Sequence, residues 1–273
     1  MLIAQISDTH IPVRGSKTYN IAPMAENLAR CIEHINNASP RPDLVLLTGD
    51  ITNNGEAAEL DHAAELLAHL DIPYFVIPGN HDDRHAVQKA FAGQNCPVLE
   101  DDFINYVIDE YELRLIALDT TIPGRSSGEI CEVRAAWLNE CLAEDSKKPT
   151  LIFMHHPPVK CGVIETDVDC FNGENRLGEV VEKYSNIEAI ICGHIHTLAH
   201  TRWRGTVVST APSMGMQLLL DLNLERDEFI LEDPAYQLHY WTKDKNLITH
   251  TIIVREIFTP YLFKKYLPIE DVF

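Results

Sequence analysis

The sequence lacks long apolar runs, paired cysteine motifs and a surplus of positive charge. No run of about 18 apolar residues is present to form a transmembrane helix, and the segment MLIAQISDTH has no basic stretch typical of a signal peptide. The seven cysteines are odd in number and include no CxxC pair, which favours a reducing, cytoplasmic environment. With 22 basic and 41 acidic residues the net charge is −19, which argues against long nucleic acids and anionic membranes as partners.

The first third of the chain alternates between short apolar runs and amphipathic stretches. Apolar runs predict strands over residues 2–6, 43–48 and 74–77, and helical periodicity predicts helices over 22–36 and 56–70. This β-α-β-α-β order favours parallel strands joined by helical crossovers. With 273 residues, the chain is long enough to bury a core without a metal or a disulfide.

The middle of the chain continues the same alternation. Val133, Trp137 and Cys141 are expected on the inward face of one of its helices. The predicted elements are a hairpin over 105–108 and 113–118, helices over 132–142 and 176–184, and strands over 150–154, 189–192 and 206–210.

The pattern changes after residue 213. Residues 237–241 and 248–254 are typical of an antiparallel pair, which would form either a small appended element or a returning edge of a sheet. We therefore divide the chain into a main domain over residues 1–213 and a C-terminal segment over 214–273. Residues 255–273 show no pattern that predicts an element.

Polar motifs follow five of the predicted strands at the point where each strand ends. Ligands of open α/β sheets bind beyond the carboxyl ends of the strands, so these motifs are expected to converge on one place. Most of the motifs are weak signals alone, because Asp-x-His occurs by chance, Gly-Asp is common in turns and a His-His pair can be a buried histidine beside a surface one. Gly-His-x-His alone is moderately specific. In chain order the motifs are Asp8-x-His10, Gly49-Asp50, Gly79-Asn80-His81-Asp82, His155-His156-Pro157-Pro158 and Gly193-His194-x-His196.

These residue types suit divalent transition metals, because imidazole and carboxylate ligands bind Mn, Fe, Co and Zn at neutral pH. About seven candidate ligands are too many for one tetrahedral site and suit two ions about 3.5–4 Å apart. A water that bridges two such ions becomes a nucleophile near neutral pH, and the ions neutralise phosphoryl oxygens. An acidic protein can therefore hold a phosphate ester, because the local field is that of the metals.

The order of the motifs resembles that of the calcineurin-like metallophosphoesterases over residues 3–197. Within that family, the segments ISDTH, TGDITNNG, IPGNHDD, FMHHPP and CGHIH are similar to those of class III cyclic nucleotide phosphodiesterases and bacterial glycerophosphodiesterases. The resemblance implies an αββα sandwich with a dinuclear metal site at its edge. Residues 1–213 would form the catalytic domain, and 214–273 a small β-rich cap or dimerisation element.

The resemblance also implies which residues hold the two ions. Asp50 would bridge them, and His155 rather than His156 would be the metal ligand of the histidine pair. The first ion would be held by Asp8, His10, Asp50 and His196, and the second by Asp50, Asn80, His155 and His194.

His81 is expected to contact the phosphate beside Asn80 and to protonate the departing alkoxide, with Asp82 or another carboxylate orienting its ring. His156 would either contact the substrate or pack against the rigid Pro-Pro turn. Asn53 would either contact the substrate or shape its own turn, and the turn is the favoured interpretation.

The sequence departs from the family pattern in the loop after the histidine-proline segment, where members of this group often carry an asparagine. Gly173 occupies the expected position, with Asn172 and Asn175 on either side. The departure affects substrate contacts near this loop and leaves the metal ligands unchanged.

We therefore expect a cytoplasmic, dinuclear metal-dependent phosphodiesterase that hydrolyses 3′,5′-cyclic nucleotides or glycerophosphodiesters. It is expected to form a homodimer or a larger homo-oligomer and to bind neither long nucleic acids nor membranes. The alternatives are a phosphomonoesterase or a short-oligonucleotide nuclease on the same scaffold, or a non-catalytic metal-binding protein.

Overall fold

Two β-sheets lie face to face at the centre of the molecule in the computed structural model, which describes residues 1–93, 96, 103–256 and 259–262. The first sheet has the strand order β13-β12-β1-β2-β3 and the second has the order β4-β5-β6-β7-β9-β8. Strands β10 and β11 form a separate two-stranded hairpin. The strands are β1 (Leu2–Ile6), β2 (Leu44–Thr48), β3 (Tyr74–Ile77), β4 (Tyr106–Ile108), β5 (Arg114–Leu118), β6 (Thr150–Met154), β7 (Ile187–Cys192), β8 (His200–Trp203), β9 (Thr206–Thr210), β10 (Met216–Leu218), β11 (Phe229–Leu231), β12 (Ala235–Trp241) and β13 (Leu247–Ile253).

Helices cover the outer face of each sheet. One buried apolar cluster joins α1 and α2 to the first sheet and continues between the sheets, and a second joins α4 and α6 to the second sheet. Strand β2 is buried along its whole length because both of its faces are covered, which explains its unbroken apolar run. This layering confirms the expected αββα sandwich. The helices are α1 (Met24–Asn36), α2 (Ala57–Leu67), α3 (Arg84–Ala90), α4 (Glu132–Glu144), α5 (Ile164–Asp167) and α6 (Glu174–Val181).

The C-terminal strands return to the first sheet. Strand β12 pairs antiparallel with β1, with Leu2 opposite Tyr240, and β13 continues the sheet beyond it. The segment over residues 235–253 therefore completes the sheet that carries β1 and β2. The domain boundary at residue 213 stays a prediction. Within the C-terminal segment, only the hairpin of β10 and β11 lies outside the two large sheets among the described strands.

The predicted inward face of α4 is wrong at Val133, which is 60% exposed. The neighbouring Arg134 is buried instead, because its guanidinium donates to Glu129 at 3.0 Å and to the carbonyls of Asp119 and Thr121 at 3.1 Å. Cys141 is buried as expected. Helices α3 and α5, strand β8 and the hairpin of β10 and β11 were not among the predicted elements, and most of residues 255–273 lie outside the described chain. No helix in the described ranges is long and apolar enough to cross a membrane.

A line of buried polar side chains, here called the polar seam, ties the two sheets together. The amide nitrogen of Gln5 donates to Thr48 Oγ1 and to the carbonyl of Cys192, both at 2.9 Å. The amide oxygen of Gln5 accepts from Nε2 of His239 at 3.0 Å, and Nδ1 of His239 accepts from Thr249 at 2.8 Å. These partners satisfy a fully buried neutral imidazole, and burial lowers the pKa of His239 to about 3.

We predict that His239 makes the fold sensitive to acid. Its folded pKa of about 3 lies below the unfolded value of 6.5, so its contribution is complete above pH 6.5 and is lost as the pH falls from 6.5 towards 3. In urea titrations between pH 6 and pH 5, His239→Gln should flatten the fall in unfolding free energy by about 1 kcal/mol per pH unit. The exposed His250→Gln on β13 is the control, and equal slopes for the two variants would contradict the prediction.

Candidate metal centre

The five motifs meet at one edge of the sandwich, where β1, β2, β3, β6 and β7 end. A cavity of about 300 Å³, here called the metal-centre cavity, opens at this edge. It is lined by five of the proposed metal ligands and by His81. Those six residues are His10, Asp50, Asn80, His81, His194 and His196. Asp8 and His155 are completely buried beneath them.

The backbone at this edge adopts an unusual conformation. Five of the seven proposed ligands are non-glycine residues with positive φ angles between 40° and 76°. Such angles are rare outside glycine, but aspartate and histidine adopt them more readily than most residues. Hydrogen bonds between neighbouring loops hold the conformation, including His10 N to Asp50 O at 2.9 Å and Asp8 N to Gly49 O at 3.1 Å. The five residues are Asp8, His10, Asp50, His194 and His196.

Four side chains form the first group of ligand atoms, with all four atoms within 4.8 Å of one another. Nε2 of His10 lies 3.6 Å from Asp50 Oδ2, and Nε2 of His196 lies 3.5 Å from Asp8 Oδ1. The two imidazole nitrogens face each other at 2.9 Å. Two buried carboxylates and two imidazole nitrogens at these distances match the donor set of a divalent transition-metal site.

The second group adjoins the first through Asp50. Nε2 of His155 lies 3.4 Å from Asp50 Oδ2 and 3.1 Å from Asn80 Oδ1. A ligand atom of His194 lies within 4.8 Å of one from His155. The carboxylate of Asp50 is therefore within reach of both groups, which is the position a bridging ligand requires.

The protonation of these groups also suits metal binding. Burial lowers the pKa of His194 to about 3 and holds the pKa of His10 well below its usual range, so both rings are neutral. Burial alone would raise the pKa of Asp50, but the charges of His155 and His81 outweigh burial and keep it well below its ordinary value. Asp50 is therefore a carboxylate with neutral rings at His10 and His194 and a charged ring at His155, where burial would lower the pKa but the charge of Asp50 outweighs it and raises the pKa to about 9.

Backbone carbonyls orient two of the imidazole rings. Nδ1 of His155 donates to the carbonyl of Thr48 and Nδ1 of His196 donates to the carbonyl of Met216, each at 2.8 Å. In the neutral tautomer that such a bond selects, Nε2 carries a lone pair directed at the centre. This arrangement is typical of metal-binding histidines, so the residues present fit a pair of divalent ions.

His81 lies over the centre without belonging to either ligand group. Its backbone N–H donates to Asp50 Oδ1 at 2.9 Å, and its Nδ1 donates to the carbonyl of Asn53 at 2.7 Å. Burial lowers the pKa of His81, but the charge of Asp50 and the Asn53 carbonyl outweigh that effect and raise it. His81 thus presents Nε2 to the metal-centre cavity.

The expectation that Asp82 orients the His81 ring is wrong. The Asp82 carboxylate accepts from the backbone N–H groups of Ile51, Thr52 and Gly79 at 2.9–3.0 Å and from Thr52 Oγ1 at 2.7 Å. It therefore braces the loops after β2 and β3 against each other. The backbone carbonyl of Asn53 orients the His81 ring instead. The sequence could not predict this role, because every residue type has a backbone carbonyl.

The expected contact between His156 and a substrate does not follow from its position. His156 is buried beside His155 and His194, and it does not line the metal-centre cavity. Its Nε2 donates to the carbonyl of Ser126 at 3.0 Å and its Nδ1 accepts from Thr120 at 2.7 Å. Both ring nitrogens are occupied, so His156 supports the neighbouring imidazoles by packing.

Several residues of the cavity wall were missed by the sequence analysis. Tyr19 and Phe229 lie opposite the ligands with their ring centroids 5.8 Å apart. Four carboxylates also line the cavity, and none of the described lining residues is lysine or arginine; the four are Glu165, Asp169, Asp227 and Glu228.

Neither asparagine beside Gly173 lines the cavity. The Asn172 backbone pairs with Gly128 and Ile130, and the Asn175 side chain accepts from Arg204 at 3.1 Å. Neither Asn172 nor Asn175 therefore takes the place in the cavity of the asparagine that this family often carries in the loop.

Comparisons with known proteins agree with this geometry. The model of the calcineurin-like phosphoesterase family matches residues 1–198. A probable glycerophosphodiester phosphodiesterase from Arcobacter nitrofigilis is 40% identical, over 96% of this chain and 97% of its own. A probable cyclic nucleotide phosphodiesterase from Rhodopseudomonas palustris is 29% identical, over 92% of this chain and 91% of its own. The crystal structure of a dimetal phosphatase from Danio rerio has the same fold, with a TM-score of 0.65 at 16% identity over 93% of this chain and 99% of that one. This chain therefore belongs to the calcineurin-like phosphoesterase family.

Proposed function

We propose that this protein is a dinuclear metal-dependent phosphodiesterase that hydrolyses small phosphodiesters. The observation that carries the proposal is the position of Asp50, which lies within 3.6 Å of imidazole nitrogens from both ligand groups while its other oxygen accepts from the His81 backbone. The metals, which are Mn, Fe, Co or Zn by the chemistry of the ligands, would be held by Asp8, His10, Asp50, Asn80, His155, His194 and His196. Bound ions of this kind neutralise phosphoryl oxygens and lower the pKa of a bound water.

The chain's own residues orient the ester and handle the proton. The Asn80 amide borders the cavity beside the ligands and can donate to a phosphoryl oxygen once its own oxygen faces a metal. His81 holds its proton on Nδ1 through the Asn53 carbonyl and presents Nε2 to the same cavity. When charged, His81 can transfer the Nε2 proton to the leaving alkoxide as a general acid.

The charge of the cavity wall supports a diester over a monoester. A phosphodiester carries one negative charge, whereas a phosphomonoester carries about two at neutral pH. Carboxylates at Glu165, Asp169, Asp227 and Glu228 repel the second charge, and no described lysine or arginine in the wall offsets them. The same field disfavours an oligonucleotide, whose additional phosphates would lie near these carboxylates.

Glycerophosphodiesters are the substrates that we propose first. The support is the 40% identity to a probable glycerophosphodiester phosphodiesterase along almost the whole of both chains. Cyclic nucleotides are the second candidate, because a probable cyclic nucleotide phosphodiesterase also aligns along 92% of this chain. Seven cysteines without a disulfide support a cytoplasmic location.

We further propose that the hairpin of β10 and β11 forms part of a homodimer interface. The hairpin and its connecting loop expose several large apolar side chains, which a monomer would leave in water. Phe229 also lines the metal-centre cavity, so the same hairpin borders the site as a cap. The exposed side chains are Leu219, Leu220, Leu222, Phe229, Ile230 and Leu231.

Hydrolysis of bis(p-nitrophenyl) phosphate should require metal and Asp50. Chelator-stripped protein should be inactive and should regain activity with Mn²⁺, and the diester should be cleaved faster than p-nitrophenyl phosphate. Asp50→Asn removes the shared charge, so metal analysis should find fewer than two ions per chain and turnover should fall more than about 100-fold. Asp61→Asn on the exposed face of α2 is the control, and full turnover by Asp50→Asn would sink the proposal.

Removing the His81 imidazole should separate metal binding from proton transfer. His81→Ala is expected to retain both ions and to lose about 10²–10⁴-fold in turnover on a glycerophosphodiester, whose alkoxide needs a proton to leave. The loss should be much smaller for bis(p-nitrophenyl) phosphate, since nitrophenolate leaves without one. His69→Ala, on the exposed surface after α2, is the control. Equal losses on both esters, or a loss of metal, would assign His81 a different role.

The mass of the native protein tests the dimer. Light scattering after gel filtration should give about twice the chain mass of 30.9 kDa. Leu222→Asp should shift the protein to a monomer by placing charge in the apolar interface. Val133→Asp, at a similarly exposed apolar position on α4, should leave the mass unchanged. A monomeric native protein would contradict the proposal.

A further inference from the structure

A second cavity adjoins the metal centre on the side of α3. This cavity, here called the side groove, has a volume of about 520 Å³ and is lined by residues 54–55, 79–85 and 121–124. It shares two lining residues with the metal-centre cavity, Asn80 and His81, and no others among the described residues. The two residues that the proposed function places against the phosphate therefore separate two distinct spaces.

Two of the charged side chains that line the side groove, Asp82 and Arg84, are held by neighbouring groups, whereas the exposed Asp83 has only a backbone partner. Arg84 donates to Asp119 at 2.5 Å and to Thr121 Oγ1 at 2.8 Å. The Asp83 carboxylate caps α3 by accepting from the N–H of Ala86 at 2.8 Å. Asp82 is held by the backbone of the loops after β2 and β3. With Arg84 already paired, the groove offers backbone dipoles and the remaining oxygen of the exposed Asp83 carboxylate, which can accept from a hydroxyl group and repels an anion. These features suit a hydroxylated group without negative charge.

The metal-centre cavity is more acidic and partly aromatic. Its four carboxylates and the Tyr19–Phe229 pair accept a neutral or positively charged group and repel an anion. The two spaces thus differ in their lining although they meet at the same phosphate position. A phosphomonoester has one alcohol group to place, whereas a phosphodiester has two. Because both spaces adjoin the boundary formed by Asn80 and His81, each can hold one alcohol of a diester bound there.

We propose that the side groove is the binding site for one of the two alcohols of the substrate diester, and that this alcohol is uncharged and hydroxylated, as glycerol is. The other alcohol lies in the metal-centre cavity. The inference rests on the proposed function, and it adds a structural reason why the enzyme would prefer phosphodiesters to phosphomonoesters. The specificity-determining residue is His85, which lies on α3, lines the groove and is exposed.

The test fills the groove without altering the metal ligands. His85→Trp places an indole in the side groove, so kcat/KM for a glycerophosphodiester should fall at least tenfold, mainly through a higher KM. The kcat/KM for p-nitrophenyl phosphate should change less than threefold, because its single alcohol fits the metal-centre cavity. A non-hydrolysable phosphonate analogue of the diester, titrated by calorimetry, should lose affinity by a similar factor, which gives a readout independent of turnover.

Lys89→Trp is the matched control, because it lies on the exposed surface of the same helix but outside the groove. Loss of diester activity in both variants, an equal loss on both esters in His85→Trp, or no loss on either would overturn the groove assignment. Failure of the proposed function has a different signature, since the wild-type protein would then cleave no diester with metal bound. Pro123→Trp fills the groove from the opposite wall and repeats the test should His85→Trp disturb α3.

Discussion

The structure of the site depends on keeping the negative charge of Asp50 buried. A buried carboxylate is costly unless cations or hydrogen-bond donors surround it. The His81 backbone N–H supplies one donor, and imidazoles approach from two directions. Asp8, a second buried carboxylate, lies in the same small volume, where burial raises its pKa despite the opposing effect of His196. Without a metal, the proton on His155, whose pKa the charge of Asp50 raises to about 9 despite burial, is the cation beside these carboxylates. Divalent ions would take its place, so the same arrangement that strains the protein also creates affinity for metal.

The strain is visible in the backbone. Left-handed conformations at non-glycine residues cost on the order of 1–3 kcal/mol each and persist only where the surroundings enforce them. Here the loop after β1 lies against the loop after β2, with bonds such as Ile11 N to Ile51 O at 2.9 Å, and Asp82 fastens the loop after β2 to the loop after β3. Hydrogen bonds of the protein itself thus hold the ligands in position, as a preorganised site requires.

The sequence predicted the strands that carry the site because each is a short apolar run followed at once by a polar motif. Strands β1, β3, β6 and β9 have the predicted bounds, and β2 begins one residue later. The places where prediction failed share a cause: the deciding interaction joins distant residues. Val133 faces outward because Arg134 reaches the carbonyls of Asp119 and Thr121, and His81 takes its orientation from the carbonyl of Asn53, which any residue type would supply. The cavity wall escaped notice because Tyr19 and Phe229 are 210 residues apart and meet only in the fold.

The place of β12 within the first sheet also governs the order in which the protein can be made. Its first residue, Ala235, follows the last residue of β1 by 229 positions, so a ribosome has synthesised nearly all of the described chain before the edge of β1 can be paired. Until then the nascent chain exposes the hydrogen-bonding edge of an apolar strand, which is a template for association with other chains. Premature termination between residues 197 and 234 should therefore yield aggregates rather than a smaller working enzyme, although every metal ligand has been translated by then.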